Sequence, residues 1–485
     1  MTRRLAPLVV LLALVSCANY RLVRDGTIQT SDAEDVKARL VAIRGLRFQQ
    51  PVPLAAVTSA EARTILEEEL RRQYRSSDLA TFSRIYQALG LLPPDTDLER
   101  SFLDLYAGQL AGFYDPIDRR MVMVSDSLDG GLMTRLLESI VRRDLTGELV
   151  LAHELTHALQ DQHYGLDVGR GDVGEDDAQL ARRAVYEGDA TLAGFATLLG
   201  KLRPGKAVSI ASRLERLPGQ LASAYPDIPA LIRDTVVFQY VAGVNFVSWA
   251  YQRAQWEGVN ALLVFPPRST EQVLHPEKYF VRPEYPLSIR LGAVTPYLNE
   301  GWEIVEDTTA GELIVQILGQ RFFDRERAVA VASGWDGDRL TALVRGEDQA
   351  IATAWLTAWD SQQDATEFFT AYAEILAAKH PGTPPARREQ AVLSLAGPRP
   401  YYLEQRDTKV LAIEGPLESD LADAADRMWR RSSYEATVPW LPMELGRVEA
   451  VPTSGAIPGS AVPATDASGG AGTPCPSALL VAPDA

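Results

Sequence analysis

Residues 149–163, LVLAHELTHALQDQH, constrain the fold more than any other stretch. A helix of this sequence is apolar on most sides, so it must be buried, and it takes His153, Glu154 and His157 in with it. Buried imidazoles and a buried carboxylate are costly unless they are hydrogen-bonded or ligate a metal. The spacing points to ligation. Residues four apart share one helix face, so His153 and His157 can bind one ion. Glu154 sits about 100° round the helix, near enough to address water on that ion. H-E-x-x-H on a helix is the pattern of zinc-dependent hydrolysis.

A catalytic zinc site takes three protein ligands and leaves one position for water. Two residues compete for the third place. His163 extends the motif to H-E-x-x-H-x-x-Q-x-x-H. The metzincin pattern has a glycine where this chain has Gln160, and that glycine lets the chain turn back sharply. On an unbroken helix His163 would lie about 9 Å beyond His157. Metzincins also carry a methionine turn downstream, whereas no methionine lies between Met133 and Met428.

The rival is Glu187, in AVYEGDATLAG. Suppose that the motif helix ends near His163 and the next begins near Asp177, a good N-cap. His153 and Glu187 then lie equally far from the connecting loop. An antiparallel pair with arms of about 15 Å sets them level. A glutamate in a helix otherwise rich in Ala, Leu and Phe needs a partner, and Arg183, one turn earlier, is the ordinary one. Glu187 is the expected third ligand, with His163 and Asp189 as alternatives.

The formal net charge of −16 argues against nucleic acid as a partner. At the N-terminus Arg3 and Arg4 precede an apolar run, Leu5 to Val15, that spans only about half of a bilayer core. Leu14-Val15-Ser16-Cys17 follows, as in a bacterial lipoprotein cleavage box. Cys17 is therefore the expected site of lipidation, and the protein is expected to be exported and held on the cell membrane or outer membrane by that lipid. Ala18 follows, so the aspartate that usually retains lipoproteins at the inner membrane is missing. With Cys17 acylated, Cys475 is left without a partner for an intramolecular disulfide.

Residues 18 to about 58 have mixed composition and read as a spacer. Helical periodicity runs over 59–88, and Met121 to Val124 read as a strand. Residues 165–177 form a Gly/Asp loop whose carboxylates lack EF-hand spacing, so a solvated loop is the better reading than a calcium site. A further helix spans Asp177 to Leu199, and helical patterns continue through VVFQYVAGVNFVSWAYQRA. The proline-rich PPRSTEQVLHPEKYFVRPEYP reads as irregular. Near residue 285 the character changes. RAVAVASGWDGDRLTALVRGEDQAIATAWLTAWDS reads as short strands, followed by a helix and a strand pair. Six of the eight tryptophans follow residue 300, where core packing accounts for them best. From about 451 the chain is rich in Pro, Gly, Ser and Ala and reads as disordered.

H-E-x-x-H followed some thirty residues later by a helical glutamate resembles the gluzincin branch of the zincin metallopeptidases. HELTHALQDQ, YEGDA and STEQVLHPEKY, in this order, resemble a group of largely uncharacterised zincin lipoproteins from bacteria and archaea. GFYDP and the GWDGD…WD…DA.EF stretch extend that resemblance over about 100–415. With the lipoprotein signal at 1–17, the expected chain is α+β, and the resemblance implies that its mainly helical part, 18–284, is a zincin-like peptidase domain. A smaller α+β domain at 285–450 and the tail at 451–485 complete the chain. The resemblance also implies Zn2+ on His153, His157 and Glu187, with Glu154 as the base and a peptide or protein as substrate. Gluzincins often use a downstream histidine to stabilise the oxyanion, which makes His275 the candidate, against the reading of a structural histidine in a loop. In zincins an edge strand pairs with substrate, here MVMV (121–124), which reads equally as an ordinary buried strand. One position departs from the pattern. Gluzincins often have an acid four residues after the third ligand, and this chain has Thr191. The competing expectation is a non-catalytic envelope lipoprotein that uses a zincin fold for binding or scaffolding.

Overall fold

The computed structural model describes residues 22–24, 27–73, 76–107, 112–116, 118–125, 146–166, 176–214, 227–298, 300–385, 387–389 and 391–437. Cys17 with its signal segment, most of the acidic loop (167–175), Cys475 and the tail from 451 lie outside them.

The first part is mainly helical. A short hairpin, β1 (Val23–Arg24) and β2 (Thr27–Ile28), leads into helix α1 (Thr30–Arg44). Strand β3 (Leu54–Val57) and helices α2 (Ser59–Gln73), α3 (Ser76–Leu89) and α4 (Leu98–Ala107) follow. Strands β4 (Gly112–Asp115) and β5 (Arg120–Val124) complete a three-stranded sheet of order β3-β5-β4. The motif helix α5 (Thr146–Tyr164) is followed by α6 (Asp176–Leu199), α7 (Pro204–Leu214) and α8 (Ala230–Val264), the last broken at Ala254–Gln255. Two short helices, α9 (Thr270–Leu274) and α10 (Glu277–Phe280), occupy the stretch expected to be irregular, with Ser269 capping α9 through the Gln272 N–H.

The second part adds β6 (Ser288–Arg290), α11 (Thr295–Leu298), β7 (Trp302–Thr308), α12 (Gly311–Gln320) and α13 (Arg325–Ala332). Then come β8 (Trp335–Arg345), β9 (Ile351–Trp359) and α14 (Gln362–Lys379). Strands β10 (Arg387–Glu389), β11 (Val392–Leu395), β12 (Tyr401–Arg406) and β13 (Lys409–Glu414) lead to α15 (Leu421–Arg431) and β14 (Ser433–Glu435). Seven of these strands form one antiparallel sheet, β10-β11-β12-β13-β9-β8-β7. The fold is thus mixed α+β. Alternation along β13 buries both faces of the sheet: Val410 and Ala412 join the core shared with the helical part, while Leu411 and Ile413 pack with Ala424 and Met428 of α15. Trp302, Trp335, Trp355 and Trp359 are all buried in these cores.

Two further expectations need correction. Residues 30–44 are a packed helix, not spacer: Ala33, Val36, Leu40 and Arg44 form its buried stripe. Only three of those four are apolar, which is why composition concealed it. A helix, Arg325–Ala332, capped by Asp324 through the Arg327 N–H, takes up the start of the stretch from Arg327 expected to be short strands. The strands after it, β8 and β9, are long.

Glycine lets α6 pack closely against α8 and against the motif helix α5. An added Cβ at Gly188 of α6 would lie 2.4 Å from the Gly243 carbonyl of α8, and one at Gly243 would lie 2.1 Å from the Ala184 oxygen. An added Cβ at Gly194 would meet Leu149 of α5 at 2.9 Å. A glycine inside a helix costs about 1 kcal/mol relative to alanine, and here backbone approach to both neighbours compensates. Gly188→Ala is expected to destabilise the fold by about 1–3 kcal/mol through overpacking, read as a lower urea midpoint. Gly205→Ala, where an added Cβ meets nothing within 4 Å, serves as the neutral control.

Candidate metal centre

Helices α5 and α6 run antiparallel, with Leu149 against Gly194 at one end and Gln160 against Tyr186 at the other. Their ends fall within one residue of the positions argued above, at Tyr164 and Asp176. His153 and Glu187 therefore meet. The Nε2 atoms of His153 and His157 are 3.1 Å apart, and Glu187 Oε2 lies 3.1 Å from the first and 3.6 Å from the second. Three ligands at about 2.0–2.1 Å from a tetrahedral ion are separated by roughly 3.3 Å, so these atoms already outline one face of such a shell. The three residues form a buried group that could hold a metal ion.

The electrostatics suit ligation. Burial lowers the pKa of His153 and so favours the neutral ring that binds metal. Burial alone would raise Glu187, but the adjoining His157 and His153 outweigh it and hold the carboxyl well below its ordinary range. Glu154, next to His153 on α5, is also buried, and its Oε2 accepts the backbone N–H of Tyr114 at 3.0 Å.

That contact corrects the expected edge strand. MVMV belongs to β5, which is the central strand between β3 and β4. The strand beside α5 is β4, one of the two outer strands of this sheet among the described residues, and it carries Tyr114. Four hydrophobic residues in a row marked β5 as buried, and buried strands are central rather than outer.

Other polar side chains surround this group. Gln160 Oε1 lies 2.8 Å from His157 Nδ1, and Gln160 Nε2 donates to Asp189 Oδ2 and to the Tyr186 carbonyl, both at 3.0 Å. Arg44 Nη2 donates to Asp189 Oδ2 and Asn260 Oδ1, each at 3.0 Å, and its guanidinium lies 4.6 Å from the centre of the Trp256 ring. Thr191 Oγ1 is 3.5 Å from His153 Nδ1, and the Tyr240 ring lies 5.9 Å from the His153 ring. Sequence reasoning passed over Tyr114, Arg44 and Tyr240. Tyr114 lies in the GFYDP stretch, which carried resemblance but no role, and all three reach the site from elements distant in sequence.

The remaining candidates lie elsewhere. His163 ends α5 with Nε2 2.8 Å from the Arg47 carbonyl and Nδ1 3.3 Å from Gln49 Nε2. Asp189 pairs with Arg44 instead of joining the ligands. His275 contacts Glu312 Oε1 at 3.1 Å, and this hydrogen bond raises its pKa. The polar contacts of His275 are to Glu312 and Glu277, away from the His153–His157–Glu187 group. Asp177, expected to cap its own helix, lies in the first turn of α6 and accepts from the N–H and hydroxyl of Thr270.

Glu187→Ala is expected to remove most of the bound divalent ion, because two imidazoles hold it weakly, while His163→Ala should leave about one ion per chain. Elemental analysis of the purified variants reads both. Retention in the first and loss from the second would exclude this ligand set.

Residues 299–425, which run from just before β7 into the first half of α15, match a family described as a domain of unknown function (DUF8575). No curated protein and no solved structure matches the chain.

Proposed function

We propose that the protein is a zinc-dependent peptidase with a gluzincin-like site, exported and tethered by lipid at Cys17, that hydrolyses peptide bonds of a peptide or protein substrate. The observation that carries this reading is the convergence of His153 Nε2, His157 Nε2 and Glu187 Oε2 at 3.1–3.6 Å, with Glu154 on the same helix. Two imidazoles and one carboxylate are a donor set that suits zinc and leaves a fourth position open. When bound, zinc supplies a Lewis acid that brings the pKa of water towards about 7.

The protein's own groups would do the rest. Glu154 takes a proton from the attacking water and returns it to the leaving amine. The Tyr114 N–H fixes the direction of the Glu154 carboxylate, so the base is aimed before substrate arrives. Strand β4, beside α5, offers backbone groups to an extended peptide. His275, the earlier candidate for oxyanion donor, is engaged by Glu312, and no reacting role is assigned to it.

A scaffold would need the histidines at most, whereas hydrolysis also needs Glu154. Glu154→Gln should therefore keep about one zinc per chain and lower cleavage of a mixed peptide library by about 10²–10⁴-fold, the usual contribution of a general base. Undiminished cleavage, or folded wild-type protein that takes up no metal when loaded with zinc, would end the peptidase reading. The lipid tether has its own test. No described helix is long and apolar enough to cross a membrane. Cys17→Ser should release the protein into the soluble fraction or block its maturation, and unchanged membrane partition would exclude this anchor.

A further inference from the structure

We infer that Gln160 is a positioning residue of the metal centre, which fixes the tautomer and orientation of His157 and so sets the affinity for the ion. The inference rests on the metal-site reading above and concerns a residue outside the ligand set.

The orientation of the Gln160 amide follows from its neighbours. The Tyr186 carbonyl can only accept a hydrogen bond, and it lies 3.0 Å from Gln160 Nε2. Asp189 Oδ2, also 3.0 Å from Nε2, is ion-paired with Arg44 and likewise accepts. Both protons of the amide nitrogen are thereby used. The opposite end, Oε1, must then face His157 Nδ1, 2.8 Å away, and as an acceptor it requires a proton there. A neutral imidazole with its proton on Nδ1 presents a lone pair on Nε2, the atom that converges with His153 and Glu187. Each step follows from what the next group can donate or accept, and the series is anchored at Arg44, whose side chain is fully buried.

Packing alone does not account for this residue. Gln160 is fully buried, and an apolar side chain of the same size would avoid the desolvation of an amide. The two histidines are also unequally supported: His153 Nδ1 has Thr191 Oγ1 at 3.5 Å, against 2.8 Å for His157. At the position where metzincins break the helix with glycine, this chain keeps α5 helical to Tyr164 and uses the side chain to hold a ligand.

The test is zinc affinity of the full chain, by competition with a chromophoric chelator, together with the visible spectrum of the cobalt(II)-loaded protein. Gln160→Met keeps the volume and removes the amide. It should weaken zinc by about 10–100-fold, the usual effect of losing a group that orients a ligand, and should alter the cobalt bands. Gln160→Glu should also weaken binding, since it sets a carboxylate oxygen against Asp189 Oδ2 and the Tyr186 carbonyl. The urea midpoint of zinc-free Gln160→Met, measured in parallel, separates the site from the fold: a merely structural role would lower that midpoint and leave the zinc affinity and cobalt bands of the folded protein unchanged. Wild-type zinc affinity with unchanged cobalt bands in Gln160→Met would overturn the inference while leaving the metal site intact. Wild-type protein that binds no zinc would remove the site itself.

Discussion

The buried ion pair between Arg44 and Asp189 is the contact on which the rest of the arrangement depends. Both side chains are excluded from solvent. Burying two charges costs several kcal/mol each, and removing one partner of such a pair typically costs about 3–5 kcal/mol, because the other is left uncompensated. The pair joins four segments. Arg44 ends α1, Asp189 is two residues from Glu187 on α6, Asn260 and Trp256 come from beyond the break in α8, and Gln160 extends the contact to α5. The break at Gln255, which takes a positive φ of 52°, lets the second arm of α8 fold back so that these residues reach Arg44. An arrangement this specific excludes other registers of α5 against α6, and the register is what brings His153 level with Glu187.

The candidate site was legible in the sequence to the extent that it is local. His153, Glu154 and His157 lie within one helix, and Glu187 required only two helix ends, both placed to within a residue. Its support was not legible. Arg44 lies 145 residues before Asp189 in sequence, and Tyr114 lies 40 before Glu154. No periodicity links such pairs. Gln160 was noticed for the glycine it replaces, and its own contacts became visible only once Tyr186 and Asp189 were beside it. The departure at Thr191 acquires a physical meaning in the same way: with a hydroxyl in place of an acid near His153, the closer hydrogen bond falls to the other histidine.

Elsewhere, success followed the strength of the local signal. The mainly helical first part and the strand-rich second part were both evident in the pattern. The errors came where burial and periodicity disagree. Helix α1 buries an arginine, β5 is apolar on both faces because it is central, and α13 has alternating Ala and Val that imitate a strand. The second part is fastened to the first by polar contacts as well as by core. Lys278 of α10 holds Glu271, Glu284 and Asp360 at 2.7–3.0 Å, which ties α9 and α10 to the end of β9. His275 lies beside this cluster and pairs with Glu312 of α12, a position that joins the two parts of the chain.

The central claim is that one metal ion is held by His153, His157 and Glu187. X-ray absorption at the zinc edge, combined with anomalous diffraction from crystals of the full chain, tests it most directly. The account predicts one anomalous peak between α5 and α6, bonded to two imidazole nitrogens and one carboxylate oxygen at about 2.0–2.2 Å. Zinc coordinated through His163, or a folded protein with no ordered ion between these helices after zinc loading, would contradict it.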